Sequence, residues 1–247
     1  MNFSDYIGIG PEEFTAKYLD TGLVQVSHHH EFPLSIYTYG RKAVHENVWD
    51  NVTSRCRGII VNRETGEIVA RPFEKFHDYR SEPVQHLPSP HANTQPVVWE
   101  KMDGFLVTGY QWNGIWYAAS KGSFHSIHAK WATSEIRRYG LQYIPKGYTP
   151  VCEGLHPDLR IVVDYGKRKE LVLLALVNIE TGEESIPNLI EFGVLGMGFN
   201  IPRSFDMTWQ DAHAMTTQTR DESQGDKGFV LTWYRLGTVP FRLTLRS

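Results

Sequence analysis

The sequence has little that would mark an exported or membrane protein. Among its 247 residues no apolar run approaches the roughly 20 residues that a membrane-spanning helix needs, and residues 1–5 lack the basic-then-apolar pattern of an export signal. Only two cysteines are present, Cys56 and Cys152. Because each stands beside a polar candidate residue and two cysteines allow at most one bridge, we expect buried free thiols in a reducing compartment. These absences predict a cytoplasmic protein with no membrane partner.

The chain also lacks a strong charge of one sign. With 25 basic and 28 acidic side chains its formal net charge is −3, so any nucleic-acid surface must be a local basic patch. Neither of the common glycine-rich phosphate loops, G-x-x-x-x-G-K-[ST] or G-x-G-x-x-G, occurs in the sequence. A nucleotide would therefore have to be held by side chains.

The composition is that of an ordinary globular protein, with 41% hydrophobic and 21% charged residues. Hairpin signals alternate with a few helical ones, and no repeat or clean linker interrupts them. This pattern predicts an α+β fold with largely antiparallel β-sheets, and not a parallel nucleotide-binding sheet. We expect one domain over residues 1–247, with a small N-terminal extension at about 1–33.

Local signals place most of the elements. Asn113-Gly114 predicts a tight hairpin between strands 106–112 and 115–120, and Glu64-Thr65-Gly66 predicts another between 57–63 and 67–73. Pro11 starts a short helix that ends before Gly22. A helix over 126–139 would bury Ile127, Trp131, Ile136 and Tyr139 on one face. The remaining expectations are strands at 150–153, 160–165, 171–177, 229–234 and 240–245, helices at 188–196 and 209–217, and an irregular crossing at 83–96.

Lys101-Met102-Asp103-Gly104 carries the strongest chemical signal. It follows the apolar residues 97–99 and Glu100. An unprotonated amine can attack phosphorus, and burial or neighbouring cations can lower the amine's pKa toward neutrality. Asp103 could orient the amine or a metal, and Gly104 could let the backbone approach a phosphate. Four residues alone match many proteins by chance, so the surrounding blocks decide the interpretation.

Further blocks stand in order around the lysine. They are Arg55-Cys56-Arg57-Gly58, Arg71-Pro72-Phe73-Glu74-Lys75-Phe76-His77, Ser120-Lys121-Gly122-Ser123, Cys152-Glu153-Gly154 and Arg160-Ile161-Val162-Val163-Asp164-Tyr165. Their order and spacing resemble the adenylyltransferase domain of ATP-dependent RNA ligases of the T-even phage and fungal tRNA-ligase type, within the covalent nucleotidyltransferase superfamily. The resemblance runs from about Pro33 to the last residue, and it implies two packed, largely antiparallel β-sheets with peripheral helices and a nucleotide cleft between the sheets.

The resemblance implies a function and a set of site residues. Lys101 would attack the α-phosphate of ATP with Mg²⁺ (or Mn²⁺) and form a lysyl-AMP. The adenylate would pass to an RNA 5′-phosphate, and an RNA 3′-hydroxyl would then displace AMP. Glu100 would belong to the adenine pocket, and Glu153 would contact the ribose or be a metal ligand. The other nucleotide-binding residues implied are Arg57, Lys75, Asp103, Gly104, Lys121, Val230 and Arg246. The oligomeric state stays open.

Two blocks near the C-terminus depart from that family. Lys227 stands where a metal-handling glutamate is expected, and Asp226 is one position away, on the opposite face of a strand. Thr244 replaces the first lysine of a K-x-K block, and His77 replaces a phenylalanine. Losing one phosphate-directed cation could cost ~2–4 kcal/mol of transition-state stabilisation, or roughly 10²–10³ in rate. The chain stops within this last block, so we expect the usual C-terminal ligase domain to be absent.

Several alternatives therefore stay open. The chain could be a minimal enzyme, a shortened gene product, or a degenerate module that binds nucleotide or RNA ends without joining them. A DNA ligase or a capping guanylyltransferase is a third, weaker reading. The run His28-His29-His30 suggests a metal site, but three adjacent histidines cannot all face one ion, so a solvated loop is favoured. Trp112, Trp116 and Trp131 could stack on bases, although core packing is the favoured role.

Overall fold

The structure, a computed structural model, describes residues 1–81, 95–161, 163–185, 196–218, 228–234 and 238–246. Its strands are β1 Val24–His28, β2 Leu34–Tyr39, β3 Arg57–Asn62, β4 Ile68–Ala70, β5 His77–Asp78, β6 Val97–Glu100, β7 Phe105–Trp112, β8 Ile115–Ser120, β9 Tyr148–Leu155, β10 Glu170–Asn178, β11 Glu184–Ser185, β12 Ser204–Phe205, β13 Gly228–Trp233 and β14 Phe241–Arg246. Its α-helices are α1 Phe3–Ile7, α2 Pro11–Phe14, α3 Arg41–His45, α4 Asn51–Arg55, α5 Ile127–Ile136 and α6 Trp209–Gln218.

The described strands form three sheets where the sequence predicted two. Their orders are β1-β2-β3-β4, β11-β10-β9-β7-β8 and β12-β6-β13-β14-β5. Every pair within them is antiparallel except β14 with β5. The α+β class with largely antiparallel sheets and peripheral helices is confirmed.

The first sheet carries the N-terminal helices on one face. Pro11 opens α2, and a π-helical turn at Thr15–Leu19 completes the helical segment before Gly22, as predicted. Phe3 stacks on Tyr37 of β2 with ring centroids 4.8 Å apart, and Phe14 meets the same ring edge-on at 5.5 Å. Residues of α1 and α2 thus bury their aromatic side chains against this sheet, where area removed from water stabilises the fold.

The second sheet contains the predicted Asn-Gly hairpin. Asn113 and Gly114 both have positive φ, 49° and 78°, which is the backbone that a two-residue type I′ turn requires. The helix α5 packs beside this hairpin, and the Ser126 hydroxyl caps it by accepting the Ala129 N–H at 3.2 Å. Its buried face includes Ala132 and Ile136, while Ile127, which was predicted to be buried, is 63% exposed because it lies in the first turn.

The third sheet holds the C-terminal strands. β13 pairs with β6 on one side and β14 on the other, so Trp99, Val230 and Thr244 lie across from one another. α6, predicted at 209–217, covers one face of this sheet, where Ala212, Leu231, Leu243 and Leu245 form a buried cluster. The alternate residues of β14 point to the opposite face.

One predicted strand is wrong. The described residues of 160–165 form a loop, in which Arg160 pairs with Asp164 at 2.7 Å, and Gly166 follows with φ 64°. Ile161 is 60% exposed, so it does not gain the packing against neighbouring strands that makes β-branched side chains favour a sheet. The strand predicted at 67–73 is shorter than expected, at Ile68–Ala70. The expected helix 188–196 and crossing 83–96 lie almost wholly outside the described residues.

Several side chains behave as the sequence indicated. Cys56 and Cys152 are buried and unpaired. Trp112, Trp116 and Trp131 pack against the hydrophobic clusters of the core. The histidine run differs in part from the expected solvated loop, because His28 ends β1, while His29 stacks on Phe32 at 4.2 Å and His30 on His125 at 3.7 Å. None of the described helices combines the length and the apolar character that crossing a bilayer demands.

Candidate functional site

A cavity of about 490 Å³ lies where the three sheets meet. The first sheet contributes Tyr39 and Arg57, and the second contributes Leu106, Glu153 and Leu174. The third sheet supplies Trp99, Glu100, Val230, Thr232, Arg242, Thr244 and Arg246, and the remaining lining comes mainly from the segments around residues 73–78 and 101–103. Lys101, Arg57, Lys75, Glu100, Asp103, Glu153, Val230 and Arg246 were all predicted from sequence to share a site, and the structure brings them together in this cavity.

Lys101 stands at the end of β6 and reaches into the cavity. Its side chain is only 10% exposed and forms an ion pair with the Asp103 carboxylate. Its backbone N–H donates to the Gly228 carbonyl at 3.1 Å. A Cβ on Gly228 would lie 2.3 Å from the Leu245 carbonyl oxygen and 3.2 Å from Lys101 Cδ. A glycine at the start of β13 is therefore needed so that the lysine stem can pass this strand.

Two side chains fix the loop that carries Lys101. The Asp103 N–H donates to the Tyr165 hydroxyl, and the Gly104 N–H donates to Glu153 Oε1, each at 2.9 Å. A Cβ on Gly104 would lie 2.1 Å from the Gly154 carbonyl oxygen. A glycine is needed at position 104 because the backbone there approaches β9 closely. The sequence analysis had instead suggested that this glycine lets the backbone approach a phosphate. Gly104 does not line the main cavity but a small neighbouring recess.

Glu153 and Arg57 line the same cavity, and burial disfavours the charged form of each side chain. Burial raises the pKa of Glu153 to about 7, although Arg57, the Gly104 N–H and Lys101 all favour its ionised form. Burial likewise lowers the pKa of Arg57, while Tyr39 and Glu153 oppose that shift. Arg57 Nη1 is buried without a hydrogen-bond partner among the described residues. A buried guanidinium with an unused donor is suited to bind an anion.

Lys75 marks a cluster of positive charge. Burial lowers its pKa to about 8, and the next contributions come from the charges of Arg57, Arg246 and Lys121. Its Nζ donates to the Phe76 carbonyl at 2.6 Å. Four cations close enough to perturb one another create a site for a polyanion, because a bound phosphate chain would relieve their mutual repulsion.

Lys121 differs from the other predicted residues in its position. It does not line the main cavity but a second cavity beside it, and its Nζ lies 4.3 Å from the ring centroid of Tyr39, which both cavities share. Gly58 sets this arrangement, because a Cβ there would lie 2.8 Å from the Lys121 carbonyl oxygen. The C-R-G and K-G-S blocks therefore touch backbone to backbone.

Thr244 and His77, two of the residues that depart from the family pattern, lie among the described residues. The Thr244 hydroxyl is buried and lies 3.4 Å from both the His77 carbonyl oxygen and Asp78 Oδ2. Burial, aided by Lys75, lowers the pKa of His77 to about 4, so this ring is neutral near pH 7. It meets Trp49 edge-on at 5.5 Å, as an aromatic side chain would. Asp226 and Lys227 lie outside the described residues.

Arg242 is a cavity residue that the sequence analysis missed. It forms a bidentate ion pair with Glu184 of β11, and its Cζ lies 4.2 Å from the Phe73 ring centroid. Burial acts to lower the pKa of Arg242, but the charge and hydrogen bonds of Glu184, together with Tyr234, raise it. This pair ties the third sheet to the second. The signal that could have found it is alternation along β14, which places residues 242, 244 and 246 on one face.

Carboxylates are the available metal ligands of the cavity. Asp78, Glu100, Asp103 and Glu153 line it, but among the described residues no three acidic, histidine or cysteine groups are arranged as a metal cage. Mg²⁺ and similar hard cations commonly take only one or two protein carboxylates, with phosphates and water completing the shell. The donor set therefore fits a metal that is brought in together with a polyphosphate, with Glu153 among the candidate ligands.

The comparisons with known proteins identify the family. The model of the RNA ligase family matches residues 55–236. RNA ligase 1 of bacteriophage TS2126 is 28% identical over 200 residues, which cover 71% of this chain and 47% of that protein. A solved structure of an archaeal ATP-dependent RNA ligase (form 1) superposes with a TM-score of 0.60 at 11% sequence identity. The match covers 98% of this chain and 63% of that one, and at this identity it shows a likeness of fold.

The length of the match sets its scope. The chain spans less than half the length of the curated relatives that it matches, at 22%, 46% and 47% of their lengths. The family match nevertheless covers most of this chain, from the C-R-G block to residue 236, and includes Lys101 and most of the residues that line the cavity. The chain belongs to the T4-type RNA ligase family and has the fold of its nucleotidyltransferase domain.

Proposed function

We propose that this chain is an ATP-dependent RNA ligase that works through a covalent lysyl-AMP at Lys101. The observation that carries the proposal is the position of the amine: it is nearly buried in the cavity that also holds Arg57, Lys75 and Arg246. A nucleophile beside a cluster of cations is the arrangement that phosphoryl and nucleotidyl transfer require, because such transfers depend on positioning and charge neutralisation. The fold neighbour described as ATP-dependent supports ATP as the donor.

The first step joins Lys101 to AMP. The amine nitrogen attacks the α-phosphorus of ATP, a P–N bond forms, the α–β phosphoanhydride bond breaks, and pyrophosphate leaves. The attacking amine must first lose a proton, and the Asp103 carboxylate that pairs with it is the adjacent acceptor. Arg57, Lys75 and Arg246 neutralise the charge that develops on the departing pyrophosphate.

The later steps seal RNA. An RNA 5′-phosphate oxygen attacks the phosphorus of lysyl-AMP, the P–N bond breaks, and a 5′–5′ phosphoanhydride forms while Lys101 returns as the amine. An RNA 3′-hydroxyl then attacks the 5′-phosphate phosphorus, so that a phosphodiester bond forms and AMP leaves. The RNA ligase family of the chain supports RNA as the polymer, and the two end groups are part of the proposal.

The nucleotide itself is held by the walls of the cavity. Val230 and Trp99 lie opposite each other on β13 and β6 and offer apolar faces to a base. Glu153, ionised and close to Lys101, would hold a divalent cation together with the phosphate oxygens. Mg²⁺ or Mn²⁺ would supply Lewis-acid polarisation of those oxygens. Glu153 also holds the Gly104 N–H, so it fixes the position of the nucleophile.

Self-adenylylation gives the direct test. The protein is incubated with ATP labelled at the α-phosphate and with Mg²⁺ or Mn²⁺, and its intact mass is measured in parallel. We expect an AMP adduct on the wild type, none on Lys101→Ala, and an undiminished adduct on Lys130→Ala, which removes an exposed lysine of α5 outside the cavity. A wild-type protein that never acquires AMP with either metal contradicts the proposal.

A second candidate function is a degenerate module that binds ATP or RNA ends without joining them. The observation that favours it is Thr244, whose hydroxyl faces the His77 carbonyl and Asp78 where the family has a lysine amine. The variants Thr244→Lys and Lys227→Glu distinguish the two. A gain in adenylylation of 10²-fold or more, of the order that one oxyanion-directed donor contributes, would identify a disabled native site.

A further inference from the structure

We infer that the second cavity is the channel by which the 5′-phosphorylated end of single-stranded RNA reaches Lys101, an inference that rests on the proposed function. This cavity has a volume of about 670 Å³ and lies between the edge of the first sheet and the K-G-S turn. The lining includes Val26, Thr38, Tyr39, Arg41, Val44 and Lys121. We call it the side channel.

The side channel adjoins the nucleotide cavity at Tyr39. Tyr39 lines both, and Lys121 sits over the Tyr39 ring at 4.3 Å on the side-channel side. The charge of Lys121 also acts on Lys75 in the main cavity, where it contributes to the lowered pKa of Lys75. An anion in the side channel would therefore stand next to the cations that surround the lysyl phosphate.

The charge of the side channel fits a polyanion. Arg41 and Lys121 line it, and among the described residues neither forms an ion pair, while none of the lining residues is acidic. The whole chain carries a net charge of −3, so this positive strip is a local feature. Two uncompensated cations along a groove can neutralise successive phosphates of one strand.

The remaining lining suits nucleosides better than water. Val26 and Val44 are large apolar side chains that stay 36% and 54% exposed at this surface. Thr38 is 8% exposed, and its Oγ1 is buried without a hydrogen-bond partner in the described part of the chain. A buried hydroxyl without a partner costs free energy unless a ligand group completes it. Apolar side chains and an unpaired hydroxyl in one lining match the sugar and base of a nucleotide.

The groove is also built to stay open. A Cβ on Gly40 would lie 2.2 Å from the Gly22 carbonyl oxygen, so two glycines bring the loop after α2 against the end of β2. Gly22 has a φ of 75°, the left-handed backbone that glycine adopts without strain. These close backbone contacts fix the wall on which Arg41 is carried.

Step-resolved kinetics test the inference. The variants are Arg41→Ala and a matched control, Lys42→Ala, which removes an equal charge from the same helix but does not line the side channel. A second pair is Val44→Glu and Ile115→Glu, two exposed apolar side chains of which only the first lines the channel. Three quantities are measured: AMP transfer from ATP to the enzyme, its reversal by pyrophosphate, and AMP transfer from the enzyme to a 5′-phosphorylated oligoribonucleotide.

We expect the channel variants to impair only the RNA step. For Arg41→Ala the RNA concentration at half-maximal rate should rise about 10-fold, as for loss of one hydrogen bond to a charged group. The slope of log affinity against log salt should become less steep by about 0.7, the value for one phosphate of a single strand. Val44→Glu should weaken RNA use at least as much, and both controls should behave as wild type.

Three results would overturn the inference. Equal effects of Arg41→Ala and Lys42→Ala would show a diffuse charge effect. A rise in the ATP or pyrophosphate requirement with unchanged RNA use would assign the channel to pyrophosphate. If the wild type acquires no AMP, the proposed function fails, but fluorescence anisotropy of the labelled 5′-phosphorylated oligoribonucleotide still decides the channel: unchanged binding by Arg41→Ala and Val44→Glu would reject it.

Discussion

Glu153 Oε1 accepts the Gly104 N–H at 2.9 Å and so ties strand β9 to the loop that carries Lys101, the proposed nucleophile. The same carboxyl group has a pKa that burial raises to about 7. Glu153 therefore changes its protonation state close to neutral pH while it holds the Gly104 N–H of the loop that follows Lys101. A second group of the cavity, Lys75, has its pKa lowered to about 8.

These two pKa values predict a narrow pH optimum for self-adenylylation. The kcat/KM for ATP reports the free enzyme, so it should rise as Glu153 ionises through about pH 7 and fall as Lys75 loses its proton above about pH 8. The measurement is the initial rate of AMP incorporation across pH 5.5–9.5 at low ATP. In Glu153→Gln the acidic limb should disappear while the alkaline limb stays. An unchanged acidic limb in this variant would contradict the assignment to Glu153.

Glu153 also links stability to pH. Its pKa in the folded protein lies above the ordinary value of 4.5, so the folded state binds the proton more tightly than the unfolded chain. The corresponding stability is complete below about pH 4.5 and is lost as pH rises through about 7. Urea unfolding at a series of pH values should show a flatter decline in Glu153→Gln than in the wild type over this window. An identical decline in both proteins would show that groups other than Glu153 cause the pH dependence of the free energy of unfolding.

Tyr165 should act as a positioning residue for the nucleophile. Its hydroxyl accepts the Asp103 N–H at 2.9 Å, and it packs beside the buried Met102. Tyr165→Phe removes this one acceptor, so the rate of lysyl-AMP formation at saturating ATP should fall about threefold to tenfold with an unchanged KM for ATP. Tyr143→Phe, at a 58% exposed site, is the matched control. A change in KM alone would show that Tyr165 acts on nucleotide binding instead.

The ion pair between Arg242 and Glu184 should dominate the attachment of the third sheet to the second. Both side chains are nearly buried, at 8% and 2% exposed. Removing one partner leaves the other charge buried and unpaired, so Arg242→Met or Glu184→Leu should each lower the free energy of unfolding by about 3–5 kcal/mol. The double variant should recover most of this loss, because no charge then remains. Chemical denaturation measures all three, and additive losses would contradict the pairing.

Gly228 should tolerate no side chain. A Cβ there would lie 2.3 Å from the Leu245 carbonyl oxygen and would press on the Lys101 stem, so Gly228→Ala should lower stability by about 1–3 kcal/mol and reduce AMP incorporation. Gly10→Ala is the control, since nothing lies within 4 Å of a Cβ at that position. Equal stability and activity of the two variants would show that β13 and β14 adjust freely.

The elements that the sequence predicted well are those fixed by local chemistry. Asn113-Gly114 and the Ser126 cap are decided by a few neighbouring residues, so the hairpin and α5 were predictable. Residues 160–165 failed for the opposite reason. Their β-branched side chains favour a strand, but a strand forms only where a neighbouring strand pairs with it, and the described residues of this segment lie in a loop.

The same distinction separates the site residues. Lys101, Lys75 and Glu153 were predicted because they belong to short blocks whose order resembles a known family, and the structure places them in one cavity. Tyr39 and Arg242 belong to no block. They share the cavity because the first sheet, which carries Tyr39, is brought together there with the third sheet, which carries Arg242, from distant parts of the chain. Such pairings depend on tertiary packing, which no local pattern reports.

The placement of β14 bears on when the site can first exist during synthesis. Arg57 of the first sheet and Arg246 of the last strand line the same cavity, although most of the chain separates them. Domains emerge from the ribosome N-terminus first, so the first sheet can form its own core while β14 has yet to be made. The nascent protein therefore carries its lysine and several cations without an enclosing wall, and under the proposed function a nucleotide would find a complete site only after β14 has emerged and joined β13.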